Sequence, residues 1–160
     1  MSVHREELHV TGLERLDVDE PVVMLNLMKF REQSLDGDGS GWDAYQRYSR
    51  EVIGMLKAHG GTILWAGPVE SMALGDLSDG DWDYVSMVLY PRPGAFLNMM
   101  NSEDYREPNL HRENGTEKHS IIAMSTDYSK FLGVHQRKSL LFALFQRAHL
   151  VGTGARGGEW

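Results

Sequence analysis

The chain contains no cysteine among its 160 residues, which excludes disulfide bonds and thiolate chemistry. No apolar run approaches the roughly 18 residues that a membrane span requires. The N-terminus, Met-Ser-Val-His-Arg-Glu-Glu, lacks the apolar stretch of a signal peptide. Together these absences predict a cytoplasmic protein without a membrane partner.

Positive charge is scarce, since 16 Lys and Arg face 23 Asp and Glu, for a formal net charge of −7 at pH 7. Nucleic acid is therefore not an expected partner, because its phosphates require clustered Lys and Arg. The seven histidines are scattered, without the spacing of a metal site. No phosphate loop is evident either, because Gly37 and Gly39 lie among the carboxylates of Asp36 and Asp38. We expect neither a metal nor a cofactor.

The apolar run over 21–30, PVVMLNLMKF, is the most informative segment. It is typical of a strand buried on both faces. Asn26 and Lys29 interrupt it, and a buried amide or ammonium is costly unless each finds a partner. A polar cavity beside the sheet would explain both. Alternatively, Asn26 ties strand ends together, and the stem of Lys29 reaches solvent.

The remaining pattern predicts three more strands and two main helices. Apolar residues from Trp42 to His59 recur at helical spacing, after a capping box of Ser40 and Asp43. Further strands are predicted over 62–66, with a continuation to 74, and over 83–90 and 118–125; the second helix is predicted from 93, interrupted or restarted at Pro108. With right-handed crossovers, this order predicts an α+β fold, a ferredoxin-like βαββαβ sandwich.

In such a sandwich the helices cover only one face of the sheet. The other face is expected to carry Met24, Met28, Val88 and Ile122 or their neighbours. Because an exposed apolar face is typical of a partner surface, we expect a homodimer in which two sheets meet face to face.

The predicted domain spans 20–126, between two segments of different character. Residues 1–19 form an N-terminal segment, with a short helix or turn over 5–16. Residues 127–160 form an extension, with a helix over 136–150 and a flexible glycine-rich tail.

Several motifs resemble the dimeric α/β-barrel superfamily, in particular a branch of small bacterial proteins known only as a domain of unknown function. They are Asn26-Leu27-Met28-Lys29-Phe30-Arg31, Trp42 to Tyr48, His59-Gly60-Gly61, and Met99 to Tyr105 with Arg112. The resemblance implies a ligand cavity between sheet and helices. Its members include cofactor-free antibiotic monooxygenases, muconolactone isomerase, polyketide cyclases, and haem-dependent chlorite dismutase and dye-decolourising peroxidases, so it leaves the chemistry open.

Four residues are the candidate catalytic groups, because proton abstraction beside a carbonyl needs a base and an oxyanion partner. Asn26 would bind a carbonyl or enolate oxygen, Tyr105 would donate its phenol, and His119 titrates near neutrality. Arg112 would bind a substrate carboxylate. The alternatives are a packed Tyr105, an ion-paired Arg112 and a solvated His119.

Five further residues are candidate substrate contacts. Trp65 would form an aromatic wall, unless it is a core tryptophan, and Met24 and Ser86 would shape the cavity. Lys29 would lie near the cavity, and His111 at its mouth.

Three hypotheses for the function follow. The first is a cofactor-independent cyclase, isomerase or monooxygenase-like enzyme acting on an aromatic or polyketide-like compound, favoured if the four catalytic candidates converge. The second is a non-catalytic dimer that binds a hydrophobic ligand in a pocket without a poised base. The third is a haem protein, for which His135 or His149 would be the proximal ligand.

Overall fold

The computed structural model describes residues 8–131 of the chain, except for the side chains at 77 and 80. Two compact units, Met1–Met124 and Ser125–Trp160, make up the chain. Residues 125–131, the described part of the second unit, contain no helix or strand. The predicted helix over 136–150, the tail, His135 and His149 lie outside the described residues.

The described part of the first unit contains four strands and four α-helices. In chain order they are α1 (Val10–Glu14), β1 (Val22–Phe30), α2 (Gly41–Ala58), β2 (Thr62–Pro68), β3 (Tyr84–Tyr90), α3 (Pro93–Met100), α4 (Arg106–Gly115) and β4 (Thr116–Met124). Short 3₁₀ turns occupy Leu77–Gly80 and Glu103–Tyr105. Pro108 lies in the first turn of α4, where its missing N–H removes no helical hydrogen bond, so α4 runs through it.

The sheet is antiparallel, with the strand order β2-β3-β1-β4. Strand β1 is therefore central, and Asn26 lies opposite Ser86 on β3 and Ile121 on β4. The observed order strand, helix, strand, strand, helix, strand confirms the predicted ferredoxin-like α+β fold.

Helix α2 begins and ends where the sequence predicts. Ser40 and Asp43 form the capping box: Asp43 N donates to Ser40 Oγ, and Ser40 N donates to Asp43 Oδ2 over 2.8 Å. Gly60 ends the helix with a φ of 77°, a left-handed conformation that glycine adopts without strain. Although α2 has 18 residues, no described helix is long and apolar enough to span a bilayer.

The hydrophobic core lies between α2, α3 and one face of the sheet. Met24 and Met28 are fully buried there, and Val88 packs in the same core. The expectation that Met24, Met28 and Val88 lie on the uncovered face is therefore wrong. Their register pairs them with other residues of the helix-covered face, because side chains alternate along a strand and one step in register changes the face.

Their neighbours form the opposite sheet face. Its apolar residues are Val23, Leu25, Leu27, Trp65, Val85, Met87, Leu89, Ile122 and Met124, and the register also places Lys29, Thr62, Lys118 and Ser120 on this face. Trp65 is 44% exposed and Ile122 is 47% exposed. Ile122 was predicted on this face, and the register places it there.

A close backbone crossing joins the end of β1 to the two helices beside it. Arg31 N donates to Gly115 O over 2.9 Å, and Gly41 N donates to Arg31 O over 3.0 Å. A Cβ at Gly41 would clash with both of these carbonyl oxygens. Only glycine therefore fits at this crossing, which fixes the start of α2 against the sheet.

Candidate ligand-binding site

A cavity of about 410 Å³ lies between α2 and the helix-covered face of the sheet. We call it the first cavity. Its floor includes Met24, Asn26 and Ser86, all three of which the sequence predicted near a ligand. Its other walls are mostly aromatic and apolar, with Trp42, Tyr45, Tyr48, Val52, Leu56, Ile63, Ala66, Tyr84, Val88, Tyr90, Phe96, Met99, Met100 and Ile121 among the lining residues.

Aromatic rings of the lining contact one another at one side of this cavity. The Trp42 and Tyr84 ring centroids lie 5.2 Å apart, and Trp42 stacks on Tyr45 with an interplanar angle of 19°. Such ring faces suit a flat unsaturated ligand. Sequence reasoning missed these three residues as ligand contacts, although the helical spacing of Trp42 and Tyr45 already placed them on one face of α2.

A row of hydrogen-bonded polar side chains runs from α4 through β4 to this cavity. Arg112 Nη1 lies 3.2 Å from His119 Nδ1, and His119 Nε2 lies 3.1 Å from Asn26 Oδ1. Because a guanidinium can only donate, His119 accepts at Nδ1, and its Nε2–H donates to Asn26. Asn26 Nδ2 in turn donates to the carbonyl oxygen of Met24 over 3.1 Å. Three of the four catalytic candidates are thus brought together in one hydrogen-bonded chain.

His119 is electrically neutral in this environment. Its side chain is only 8% exposed, and burial, with a smaller contribution from the Arg112 cation, lowers its pKa to about 3. The Nδ1 lone pair faces Arg112, so a ligand in the first cavity does not meet it. The geometry therefore offers His119 as a hydrogen-bond relay between Arg112 and Asn26.

Tyr105, the fourth catalytic candidate, lies behind the cavity wall. Its hydroxyl is 3.1 Å from that of Tyr48, which lines the first cavity. Burial raises the pKa of Tyr105, while nearby Arg112 opposes the rise. Burial also raises the pKa values of Tyr45 and Tyr48. These phenols are therefore hydrogen-bond donors at neutral pH.

Arg112 is held in place by Asn109, which sequence reasoning did not single out. Arg112 Nε donates to Asn109 Oδ1 over 2.7 Å, and Asn109 Nδ2 donates to Glu113 Oε1 over 2.9 Å. All three lie on α4 at spacings of three and four, which place side chains on one helix face. Arg112 and His119 line a second cavity, of about 590 Å³, on the α1 side of the sheet.

No family model matches the chain, and no curated protein is similar to it. A solved structure of a protein of unknown function from Rhodopseudomonas palustris is 29% identical, with a TM-score of 0.67, and the match covers 76% of this chain and 94% of that chain. The methylated form of that protein, also 29% identical, matches with a TM-score of 0.68 over 78% and 94%. The element order and the strand order β2-β3-β1-β4 give the chain a ferredoxin-like fold.

A more distant solved structure is that of SnoaB, a cofactor-independent oxygenase from Streptomyces nogalater. It is 8% identical, with a TM-score of 0.48, and the match covers 69% of this chain and 97% of that chain. A likeness this remote carries no information on chemistry.

The other three predicted contacts lie away from the first cavity. Trp65 projects on the opposite sheet face, with its ring over Gly67. Alternation along β2 explains this, because Trp65 pairs with Met87, whereas the cavity residue Ala66 pairs with Ser86.

Lys29 makes ion pairs instead, and His111 lies beside a carboxylate of α2. Lys29 Nζ lies 2.7 Å from Asp81 and 3.2 Å from Asp83, and these hydrogen bonds raise its pKa. His111 Nε2 lies 3.7 Å from Glu51 Oε1. Within residues 8–131 of this ferredoxin-like chain, no group of three or more His, Asp or Glu side chains is placed to hold a metal ion.

Proposed function

We propose that this protein binds an oxygen-bearing aromatic or polyketide-like compound in the first cavity and holds one oxygen of that compound, as an anion, on the amide of Asn26. The observation that carries this proposal is the hydrogen-bonded chain from Arg112 through His119 to Asn26, which ends at the cavity wall.

The row of hydrogen bonds from Arg112 through His119 makes the Asn26 amide an unusually strong N–H donor. The Asn26 amide has two N–H groups, and one of them serves the Met24 carbonyl. The other N–H can donate to a ligand. Since Arg112 is positive and hydrogen bonds in a low-dielectric interior polarise one another, this N–H interacts better with a phenolate or enolate oxygen than with a neutral one.

The shape and lining of the cavity support an aromatic ligand. A volume of about 410 Å³ falls within the range of small-molecule sites, and such sites are mostly apolar with a few well-placed polar groups. Trp42, Tyr45 and Tyr84 provide ring faces. Asn26 and Ser86 provide polar groups on the sheet, and Gln46, Ser49 and Arg50 provide polar groups on α2.

A cofactor-independent enzyme is the second candidate, because a donor aimed at an enolate oxygen lowers the barrier to forming that enolate. Among the described residues that line the first cavity there is no Asp, Glu, Lys or His. The proton would therefore leave the ligand to solvent, as in an isomerase, cyclase or monooxygenase-like reaction of a readily ionised substrate. A protein that only binds its ligand would use the same Asn26 contact without converting the ligand to a product.

The proposal includes a homodimer that forms through the opposite sheet face. The nine apolar residues of this face include the partly exposed Trp65 and Ile122. Apolar surface of this kind is stabilised by burial against a second copy. Solution mass from sedimentation equilibrium tests this part.

Titration of bound 4-nitrophenol tests the binding proposal, because its phenolate absorbs in the visible range. We expect the pKa of the bound phenol to be lower than that of the free phenol. Asn26→Leu should remove the shift, while Asn98→Leu, an exposed position on α3, should keep it. Absence of binding, or a raised pKa on binding, would contradict the proposal.

Hydrogen–deuterium exchange of 2-tetralone, an aromatic ketone, separates the enzyme from the binder. If the site stabilises the enolate, NMR should detect faster exchange beside the carbonyl with the protein than in buffer, and Asn26→Leu should slow it. Exchange at the buffer rate, together with normal 4-nitrophenol binding, identifies a non-catalytic binder.

A further inference from the structure

Among the described residues that line the first cavity, one side chain carries a charge, and that side chain is Arg50 of α2. The rest of the lining is neutral and mostly aromatic or aliphatic. The proposed function places one oxygen of the ligand on Asn26 and leaves Arg50 without a role. In small-molecule sites a charged side chain of this kind commonly fixes the orientation of the ligand.

Arg50 lies at the mouth of the first cavity. The inner row of lining residues on α2, at spacings of three and four, consists of Tyr45, Tyr48, Val52 and Leu56. The outer row, at the same kind of spacing, consists of Trp42, Gln46, Arg50 and Ile53. In this outer row Trp42, Arg50 and Ile53 are exposed, and on the sheet side Ile63 of the edge strand β2 is exposed as well. The cavity therefore opens between the outer row of α2 and the edge strand.

The guanidinium of Arg50 has no carboxylate partner within residues 8–131. The residues one helical turn away from it are neutral or positive, namely Gln46, Arg47, Ile53 and Gly54. The adjacent Glu51 lies beside α4 instead, with its Oε1 atom 3.7 Å from Nε2 of His111. Arg50 is therefore open to an anionic group of a ligand at the mouth.

We propose that the first cavity binds an aromatic acid, a compound with an oxygen-bearing ring and a carboxylate at its far end. The carboxylate lies on Arg50 at the mouth, and the ring oxygen lies on Asn26 at the floor. This inference rests on the proposed function and names the class of ligand that the same site selects.

The position and chemistry of Arg50 favour a single carboxylate. A guanidinium presents parallel N–H donors that match two carboxylate oxygens. At the exposed mouth the carboxylate keeps part of its hydration, so it avoids the cost of full burial. The formal net charge of −7 disfavours a more highly charged anion. Arg50 therefore determines which end of the ligand faces solvent.

Binding of 4-hydroxyphenylacetate and of 4-hydroxyphenylacetamide tests the proposal, because these two compounds have nearly the same shape and differ in charge. Isothermal titration calorimetry at pH 7 should find that the wild type binds the acid about fivefold more tightly than the amide, as expected of an exposed ion pair. Arg50→Gln should bind the acid no more tightly than the amide.

Lys57→Gln is the matched control. Lys57 lies on α2 about two helical turns after Arg50, is exposed, and is not among the residues that line the first cavity. Because its loss changes the net charge by the same amount, this variant should keep the preference for the acid. If Lys57→Gln lost the preference as fully as Arg50→Gln, the preference would reflect the general charge of α2, and the proposal would be wrong.

Equal affinity of the wild type for the acid and the amide would also overturn the proposal, as would a preference that persists in Arg50→Gln. The wild-type comparison does not depend on the folding of any variant. If 4-nitrophenol binds with a lowered pKa while the acid binds no more tightly than the amide, only this inference fails. If 4-nitrophenol, the acid and the amide all fail to bind, the proposed function fails with it.

Discussion

The Nε2 atom of His119 lies 3.1 Å from Oδ1 of Asn26, on the neighbouring strand. Asn26 pairs with Ile121, and His119 pairs with Met28, so the two side chains are diagonal neighbours on the helix-covered face. Asn26 lines the first cavity, and His119 lines the second. This hydrogen bond therefore links a side chain of the first cavity to a side chain of the second, and it joins β1 to β4.

The protein should lose stability in mild acid because of His119. Burial lowers its pKa from the ordinary value of 6.5 to about 3 in the folded state. Between these two pKa values only the unfolded chain binds the proton. The stabilisation that neutral His119 gives the fold is therefore complete above the pKa of the unfolded state, and it is lost as the pH falls towards the pKa of the folded state. Urea unfolding should give a free energy lower by about 2 kcal/mol at pH 5 than at pH 7.

The variant His119→Gln should have a shallower pH dependence over the same interval. His9→Gln is the matched control, because the His9 side chain is exposed. If the unfolding free energy fell equally steeply with decreasing pH in the wild type and in His119→Gln, the proposed low pKa of His119 would be wrong.

Asn26→Leu should destabilise the fold as well as weaken ligand binding. The leucine leaves the buried Nε2–H of His119 without its acceptor, and an unsatisfied buried donor costs about 1–3 kcal/mol. Asn26→Asp restores an acceptor and adds a negative charge, which should raise the pKa of His119. NMR titration of the imidazole measures this rise. An unchanged pKa would mean that the two groups do not interact.

The fold was predictable because its signals are local. The capping box of Ser40 and Asp43, the glycine stop at Gly60 and the alternation along β3 each specify one element, and short connections then restrict the topology. The predicted strand boundaries were less accurate. Strand β4 begins at Thr116 rather than Lys118, and β2 ends at Pro68 rather than continuing to 74.

The face on which a strand residue lies was harder to predict. Strand β1 is apolar on both faces, so periodicity does not tell which of Met24 and Leu25 is under the helices. Trp65 has the same ambiguity, and a register irregularity between Ile63 and Trp65 adds to it. Register depends on the pairing of distant segments, which the sequence does not display.

The sequence suggested the three residues individually: Asn26 as an amide within an apolar strand, Arg112 as a guanidinium able to bind a carboxylate, and His119 as a possible acid or base. It did not reveal that they bond in a row, because α4 and β4 meet β1 only in the folded sheet. Asn109 gave no sequence signal beyond its helical spacing from Arg112 and Glu113.

Gly41→Ala should be strongly destabilising, because the added Cβ meets the backbone oxygens of Arg31 and Gly115, which have no flexible end to move. We expect a loss of about 1–3 kcal/mol or more in urea unfolding. Gly54→Ala is the matched control within α2, where a Cβ meets nothing within 4 Å. It should gain about 0.5–1 kcal/mol from helix propensity. A Gly41→Ala protein as stable as the wild type would contradict the close backbone contact of Gly41 with Arg31 and Gly115.

Trp65→Lys should weaken self-association through the opposite sheet face. Trp65 lies half-exposed on the edge strand β2, opposite Met87, and a lysine there would place an ammonium group in the apolar part of the proposed interface. Leu74→Lys is the control, because Leu74 is 93% exposed in a connection outside the sheet. Sedimentation equilibrium should find a concentration-dependent dimer for the wild type and Leu74→Lys, and a monomer for Trp65→Lys. A monomeric wild type at micromolar concentration, or a Trp65→Lys dimer of undiminished affinity, would exclude this face as the interface.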